Sequence, residues 1–359
     1  MGTVHMESLN EVPEIELAAV VDPYEKAAVA AAKKFQIPQS YTDATEMLKQ
    51  ERPDYVVVVS PPLYHAEQTI AAYEAGAHVL CEKPLCMSVG EAEAMRTAAQ
   101  KSGKLFTMGL QLRQMHMYDA ARQFLAAGKL GNVFHSRVWA GHIMEYPAGR
   151  FFHKKEYSLG GVFAGTVVHF LDLAMWILGS PQPLAVSASI FRRLDKMSDP
   201  PVHFDGSATD SDVEDFVHGH VRFADGSSMS LEGSWLFHPC SDPAGVEIDG
   251  VDGVIRVKEH ECVVELEERE KVRPLILDHE PEHEKRQVEQ HRVFVEAMKG
   301  NMKPAVSFDE AIAVQKIVNG IYDSASAGYR SARLRVSDSA TPDPTGSRST
   351  PLSPPRSRR

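Results

Sequence analysis

The sequence predicts an α/β fold in two successive units: a parallel sheet flanked by helices, then an α+β unit with a large, mostly antiparallel open sheet. Three observations carry this. Up to about residue 108, short apolar runs alternate with helical spacings, the pattern of βαβ units whose sheet is buried on both faces. From Val133 onward strand candidates follow one another, several joined by hairpin turns such as Ala224-Asp225-Gly226 and Asp249-Gly250. Two long helical spacings, from about Glu282 to Met298 and from Phe308 to Ser326, close the pattern. The expected division is 1–108, 109–336 and a disordered tail 337–359 of Ser, Pro, Thr and Arg with no apolar period.

Element by element, Glu16 to Asp22 reads as a strand, and Pro23 to Phe35 as an alanine-rich helix with a proline at its first position. A short helix around Thr42 to Gln50 precedes the apolar strand Tyr55 to Val59. The turn Ser60-Pro61-Pro62, a helix from His65 to Ala75, the strand Ala77 to Cys81, a helix from Gly90 to Lys101 and a strand from Leu105 to Gly109 follow. Beyond lie a helix from Gln114 to Ala127, a strand from Val133 to Ile143 and a helix through His169. Strands are then expected at 185–191, 215–223, 227–235, 246–248, 254–257 and 262–266.

With 359 residues, 43% hydrophobic and 24% charged, the chain has room for two cores. A net charge of -11 argues against a nucleic-acid surface. No run approaches the roughly 20 apolar residues of a membrane span, the N-terminus lacks a signal peptide, and Met6 stands where myristoylation needs Ser or Thr. A soluble cytoplasmic protein is expected. Cys81, Cys86, Cys240 and Cys262 form neither a metal knuckle nor a disulfide framework. His279-Glu280-Pro281-Glu282-His283 spells a zinc-helix motif, but Pro281 would open the helix and leave His279 outside it, so no metal is expected. Arg348, Arg356, Arg358 and Arg359 read as a solvated tail.

Cys81-Glu82-Lys83-Pro84-Leu85 organises the first unit. A buried parallel strand that ends in a charged pair and a proline presents its carboxyl end to a crevice, where open α/β sheets bind ligands. Asp22, also at a strand end, is placed to accept from both adenosine ribose hydroxyls and to repel a 2′-phosphate, favouring NAD over NADP, or else to cap the turn beside Pro23. A dinucleotide fold opens with a strand and G-x-G-x-x-G. Gly2 fits the third glycine, so the first strand and first two glycines are expected upstream of the residues given.

These marks resemble the glucose-fructose oxidoreductase, inositol dehydrogenase and rhizopine-catabolism (Gfo/Idh/MocA) family over nearly the whole chain. The matching residues are Asp22, Ser60-Pro61 with His65, Cys81 to Leu85, Gly109-Leu110-Gln111-Leu112-Arg113, Gly160-Gly161 leading to His169-Phe170-Leu171-Asp172 and Trp176, and Glu214-Asp215-Phe216. The resemblance implies a Rossmann-type first unit, truncated at its N-terminus, and an NAD(P)-dependent oxidoreductase of sugars or polyols. It also implies a homodimer or homotetramer joined through the open sheet. Lys83 would hydrogen-bond the reacting hydroxyl and His169 would take or relay its proton. A cation and a base near one hydroxyl are what loss of that proton requires. Cofactor contacts would come from Gly2, Asp22, Ser60, Pro61, His65, Glu82, Lys83 and Gln111, substrate contacts from Asp172, Tyr146 and Arg113. Further polar groups in the segment 141–157 are His142, Glu145, Arg150, His153 and Lys154.

The chain departs from the family at Gly165, where an aspartate one turn before the histidine is usual. Either Asp172, Glu145 or Tyr146 takes that part, or the chemistry is altered. A family-type NAD-dependent glycosidase and a non-catalytic sugar-binding homologue are the alternatives.

Overall fold

The computed structural model describes residues 1–143, 151–198, 210–237, 243–258, 261–268, 271–278, 285–328 and 332–334. The expectations for Glu145, Tyr146, Arg150, the zinc-helix motif and the tail lie outside them.

The first unit runs α1 (Gly2–Asn10), β1 (Ala19–Val21), α2 (Glu25–Phe35), β2 (Gln39–Tyr41), α3 (Ala44–Glu51), β3 (Tyr55–Val58), α4 (His65–Glu74), β4 (His78–Cys81), α5 (Val89–Ser102) and β5 (Phe106–Met108). Asp43 and Ser88 accept backbone N–H groups at the starts of α3 and α5. Pro23 lies outside α2, because Asp22 accepts the Tyr24 N–H and turns the chain before the helix begins at Glu25. The strands form two parallel groups, β1-β2 and β3-β4-β5, not hydrogen-bonded to each other. Val58 pairs with Cys81 and Cys81 with Met108, so Ser60, Glu82 and Gly109 emerge at one edge. Val79, Cys81, Met108, Ala72 and Met95 are among the residues sealing this core.

The second unit runs α6 (His116–Ala126), β6 (Val133–Ile143), α7 (Lys155–Ser158), a π-helical turn (Phe163–Val167), α8 (Val168–Ile177), β7 (Pro183–Phe191), β8 (Phe216–Phe223), β9 (Ser228–Phe237), β10 (Ala244–Gly250), β11 (Gly253–Lys258), β12 (Glu261–Glu268), β13 (Lys271–Asp278), α9 (Arg286–Met298), α10 (Phe308–Ser326) and β14 (Ala332–Arg333). Among the described residues its sheet has nine strands in the order β13-β12-β11-β10-β6-β9-β8-β7-β14. Only β6 and β9 run parallel; every other neighbouring pair is antiparallel. Val138, Val217, Val221, Leu231, Val246 and Ile255 bury one face against α8 and its neighbours.

The membrane reading needs a correction. Residues 155–177 are long and apolar enough, by composition, to cross a bilayer, but 72% of the apolar window is buried inside this fold. A helix apolar on every side is also the signature of a helix enclosed by its own protein.

The last two helices span both units. Phe308 stacks on Phe106 at 3.8 Å, Ala311 and Ile312 enter the first core, and Val288 and Val295 of α9 enclose Val12. Ser307 and Glu310 form a reciprocal cap at the start of α10.

Arg113 fastens this junction. Its Nε and Nη2 donate to the two oxygens of Asp172 at 2.9 and 2.6 Å, and its Nη1 donates to Glu310 Oε1 at 2.8 Å and Ala305 O at 2.9 Å. Arg113 is 5% and Asp172 1% exposed. Both residues, expected at the substrate, are instead bonded to each other, and Arg113 also to Glu310 of α10, with each Asp172 oxygen accepting from the guanidinium. Burial raises the Asp172 pKa and the guanidinium opposes it. Arg113→Leu leaves that carboxylate buried without its cation and is expected to cost about 3–5 kcal/mol in denaturant unfolding; a loss below about 1 kcal/mol would refute this role.

Candidate active site

Lys83 stands at the crevice edge after β4. The Lys83-Pro84 peptide is cis, and the partly buried Lys83 side chain reaches across to the second unit, where Nζ donates to Gly165 O at 2.5 Å. Gly165 lies in the π-helical turn one helical turn before His169. A π-turn inserted ahead of an α-helix is a frequent device at functional sites. Here it delivers a backbone carbonyl to the ammonium. Neither crowding nor backbone conformation requires glycine at 165: an added Cβ would meet only Trp235, at an ordinary 3.5 Å.

The chain reaches that turn through Gly160-Gly161. Side chains there would collide with the Tyr322 hydroxyl and the Glu214 carbonyl. The buried Glu214 carboxylate accepts from Gly161 N at 2.8 Å, Phe163 N at 3.0 Å and the Tyr322 hydroxyl at 3.0 Å, holding the entry to the turn as a carboxylate holds a helix start.

Burial and the neighbouring Lys83 charge lower the His169 pKa to about 3, partly offset by Glu82. The imidazole is therefore neutral at physiological pH, and its buried Nδ1 has no hydrogen-bond partner. Lys83 is itself pushed down by burial and up by Glu82. The Lys83 ammonium thus reaches the turn that precedes His169, and its charge acts on that imidazole.

The remaining residues expected at the cofactor divide into two groups. Glu82 and His65 are turned inward. Glu82 Oε1 meets His5 Nε2 at 2.9 Å and Oε2 accepts the Lys83 N–H at 3.0 Å. Gly109 gives it room, since a Cβ there would lie 2.5 Å from Oε1. Burial raises the Glu82 pKa, but His5 and Lys83 outweigh it and hold the pKa at about 2. His65 is fully buried with Nε2 2.7 Å from Ser60 O and Nδ1 2.9 Å from Pro84 O, tying two loops of the crevice together. Gly2 begins α1, Asp22 keeps Oδ2 clear of the turn it caps through Oδ1, Ser60-Pro61 follows β3, and Gln111 opens the short 3-10 turn 111–114 after β5. Gly2, Asp22, Ser60-Pro61 and Gln111 each lie at the start of a helical turn or just past a strand end.

The sequence reading missed His5, His291, Tyr55 and the Gly165 carbonyl. His5 lies one turn past Gly2, while its contact with His291 joins residues 286 apart in the chain. No spacing rule reaches that far.

A Rossmann-type parallel sheet joined to a large, mostly antiparallel open sheet is the architecture of a family of NAD-binding oxidoreductases. The chain belongs to the Gfo/Idh/MocA family: residues 1–110 match its oxidoreductase family, NAD-binding Rossmann fold, and residues 118–256 match the GFO/IDH/MocA C-terminal domain. It is similar to D-glucoside 3-dehydrogenase of Escherichia coli (strain K12), 28% identical over 327 residues, which are 88% of this chain and 90% of that protein. GenD2 from gentamicin A biosynthesis, solved in complex with NAD, superposes with a TM-score of 0.77 at 28% identity over 94% of each chain. An oxidoreductase domain protein from Kribbella flavida shares the fold, with a TM-score of 0.80 at 24% identity over 94% of this chain and 96% of that one.

Neutral buried histidines make stability depend on pH. His291, fully buried, has its pKa lowered to about 3, chiefly by burial, so below the unfolded value of 6.5 the unfolded chain binds a proton that the folded one refuses. Stability is expected to fall as pH drops from 6.5 toward 3, by about 2 kcal/mol at pH 5 from this histidine. Urea midpoints that fall no less steeply with acidification in His291→Gln would contradict this.

Proposed function

We propose that the chain is an NAD-dependent dehydrogenase of a CH–OH group on a sugar, polyol or related hydroxyl compound, with cofactor contacts from Gly2, Asp22, Ser60, Pro61 and Gln111. The observation that carries the reading is the Lys83 ammonium held on the Gly165 carbonyl beside a neutral His169 with a free ring nitrogen. Bound NAD supplies the hydride acceptor. Lys83 donates to the hydroxyl oxygen and stabilises the alkoxide as it forms, and the His169 imidazole takes the proton. With a carbonyl rather than a carboxylate at 165, His169 is a weak base in the free protein, and Lys83 provides most of the charge stabilisation. Asp22 favours NAD, because a 2′-phosphate would face its carboxylate. Sugar and polyol dehydrogenases among the relatives support the substrate class.

The reading also keeps the division at residue 108 and a cytoplasmic location. It makes the protein a homodimer or homotetramer through the sheet face away from the helices, an arrangement favoured by Phe134 and Phe191, 52% and 46% exposed.

Incubation with NAD and a panel of glycosides and inositols is expected to yield net NADH with at least one of them, and Lys83→Ala to lower kcat/KM about 10²–10⁴-fold. Product from an eliminated glycoside without net NADH would point to the glycosidase, and cofactor binding without turnover to a sugar-binding protein. Light scattering is expected to give a dimer or tetramer, and a change of Phe134 or Phe191 to Asp to shift it toward monomer; monomeric unaltered protein would end the oligomer reading.

A further inference from the structure

A continuous chain of side chains runs inward from the Glu82-Lys83 edge. Glu82 Oε1 meets His5 Nε2 at 2.9 Å, His5 Nδ1 meets His291 Nε2 at 3.0 Å, and the Tyr55 hydroxyl meets His291 Nδ1 at 2.9 Å. The four residues come from the end of β4, from α1, from α9 and from β3. Glu82, His5 and His291 are 5%, 3% and 0% exposed. The rings of His5 and His291 meet edge to face at 5.1 Å, and Tyr55 lies against Phe294 at 5.2 Å, so apolar packing fixes the line.

Counting protons gives the chain a direction. An ionised Glu82 only accepts, so His5 carries its proton on Nε2. A neutral His5 then has a bare Nδ1, which accepts from His291 Nε2–H, and the bare His291 Nδ1 accepts from the Tyr55 hydroxyl. Every ring nitrogen is satisfied and the chain holds one negative charge, at Glu82. A second cation at His5 would leave the buried group with net positive charge, since the Lys83 ammonium already faces Glu82. The reverse order, with a protonated Glu82, would strip Lys83 of its counterion.

We propose that His5, His291 and Tyr55 are positioning residues: their relay holds Glu82 as an ionised carboxylate beside Lys83 and thereby sets the pH range over which Lys83 keeps its proton. The titratable groups acting on this pair are Cys81 on its own segment, His65 on α4, His169 on α8, His5 on α1 and His291 on α9; behind them Cys86 acts on Cys81, Arg286 on His169 and Tyr55 on His291. Among these described residues Glu82 is the one anion, and it is the group that raises Lys83. Losing the His5 donor raises a buried carboxylate, and a carboxylate that gains a proton no longer supports the ammonium. The pKa of Lys83 then falls. Through α9, the C-terminal part of the chain thus holds the charge balance at the strand edge.

The test uses the full chain with isotope-labelled lysine and histidine, read by NMR. In the unaltered protein near pH 8, His5 and His291 are expected as neutral rings protonated on Nε2. A doubly protonated His5, or one protonated only on Nδ1, overturns the relay. His5→Leu is expected to lower the Lys83 pKa by about one unit, tenfold in its proton affinity, while His5→Gln keeps a donor and stays within about 0.3 of the parent. An unchanged Lys83 pKa in folded His5→Leu overturns the proposal. If that variant does not fold, Tyr55→Phe with the ring tautomers of the unaltered protein decides: persistence of the Nε2–H form of His291, which His5 Nδ1 still accepts, supports the relay, and a shift of that proton to Nδ1 refutes it. The consequence for catalysis rests on the dehydrogenase reading. A Lys83 pKa that moves while the pH–rate limb does not would leave the relay standing and remove Lys83 from the chemistry.

Discussion

Two opposite charges one residue apart, taken out of water where β4 ends, set the terms for the rest of the molecule. Burying a carboxylate and an ammonium costs several kcal/mol each unless hydrogen bonds replace the lost water. The fold supplies those bonds from far away. Glu82 receives His5 from α1 and the Lys83 amide, with Gly109 leaving it space. Lys83 is met by the Gly165 carbonyl from the second unit. The cleft between the units is therefore closed by polar groups that each need the other side, which makes the relative placement of the units part of the site's electrostatics.

The other buried acids follow the same logic with a different result. Asp172 is consumed by Arg113, and Glu214 by two backbone amides and a tyrosine hydroxyl. Each is an anchor: it fixes a helix or a turn whose end points at the cleft. Both carboxylates are thus structural, and the His169 imidazole stays neutral because burial and the Lys83 charge outweigh the pull of Glu82. Sterics do not account for the glycine at 165, since the backbone and surroundings there would accept a side chain.

Much of the architecture was legible. Val133–Ile143 alternates cleanly because one face of its strand is buried, and Phe308–Ser326 follows the helical period from a Ser-x-x-Glu cap to its end. Three strands escaped notice. Gln39–Tyr41 is short, polar and largely exposed, so no alternation marks it. Lys271–Asp278 contains Pro274, which argues against a central strand, and it is indeed the last strand of its sheet, where a missing N–H is tolerated. Ala332–Arg333 is two residues long and exists only because β7 offers an edge.

By itself, the sequence determined the order of elements and the strand ends carrying Asp22, Ser60 and Lys83, because periodicity and motif spacing are local properties of a chain; the role of Lys83 beside His169 came only from the family resemblance. Tertiary structure alone decided which charged groups face the cleft and which face one another. Arg113 and Asp172 close on each other, Glu82 turns to His5, and His291 arrives from the far end of the chain, since desolvation and hydrogen-bond completion act only between groups that folding has brought together.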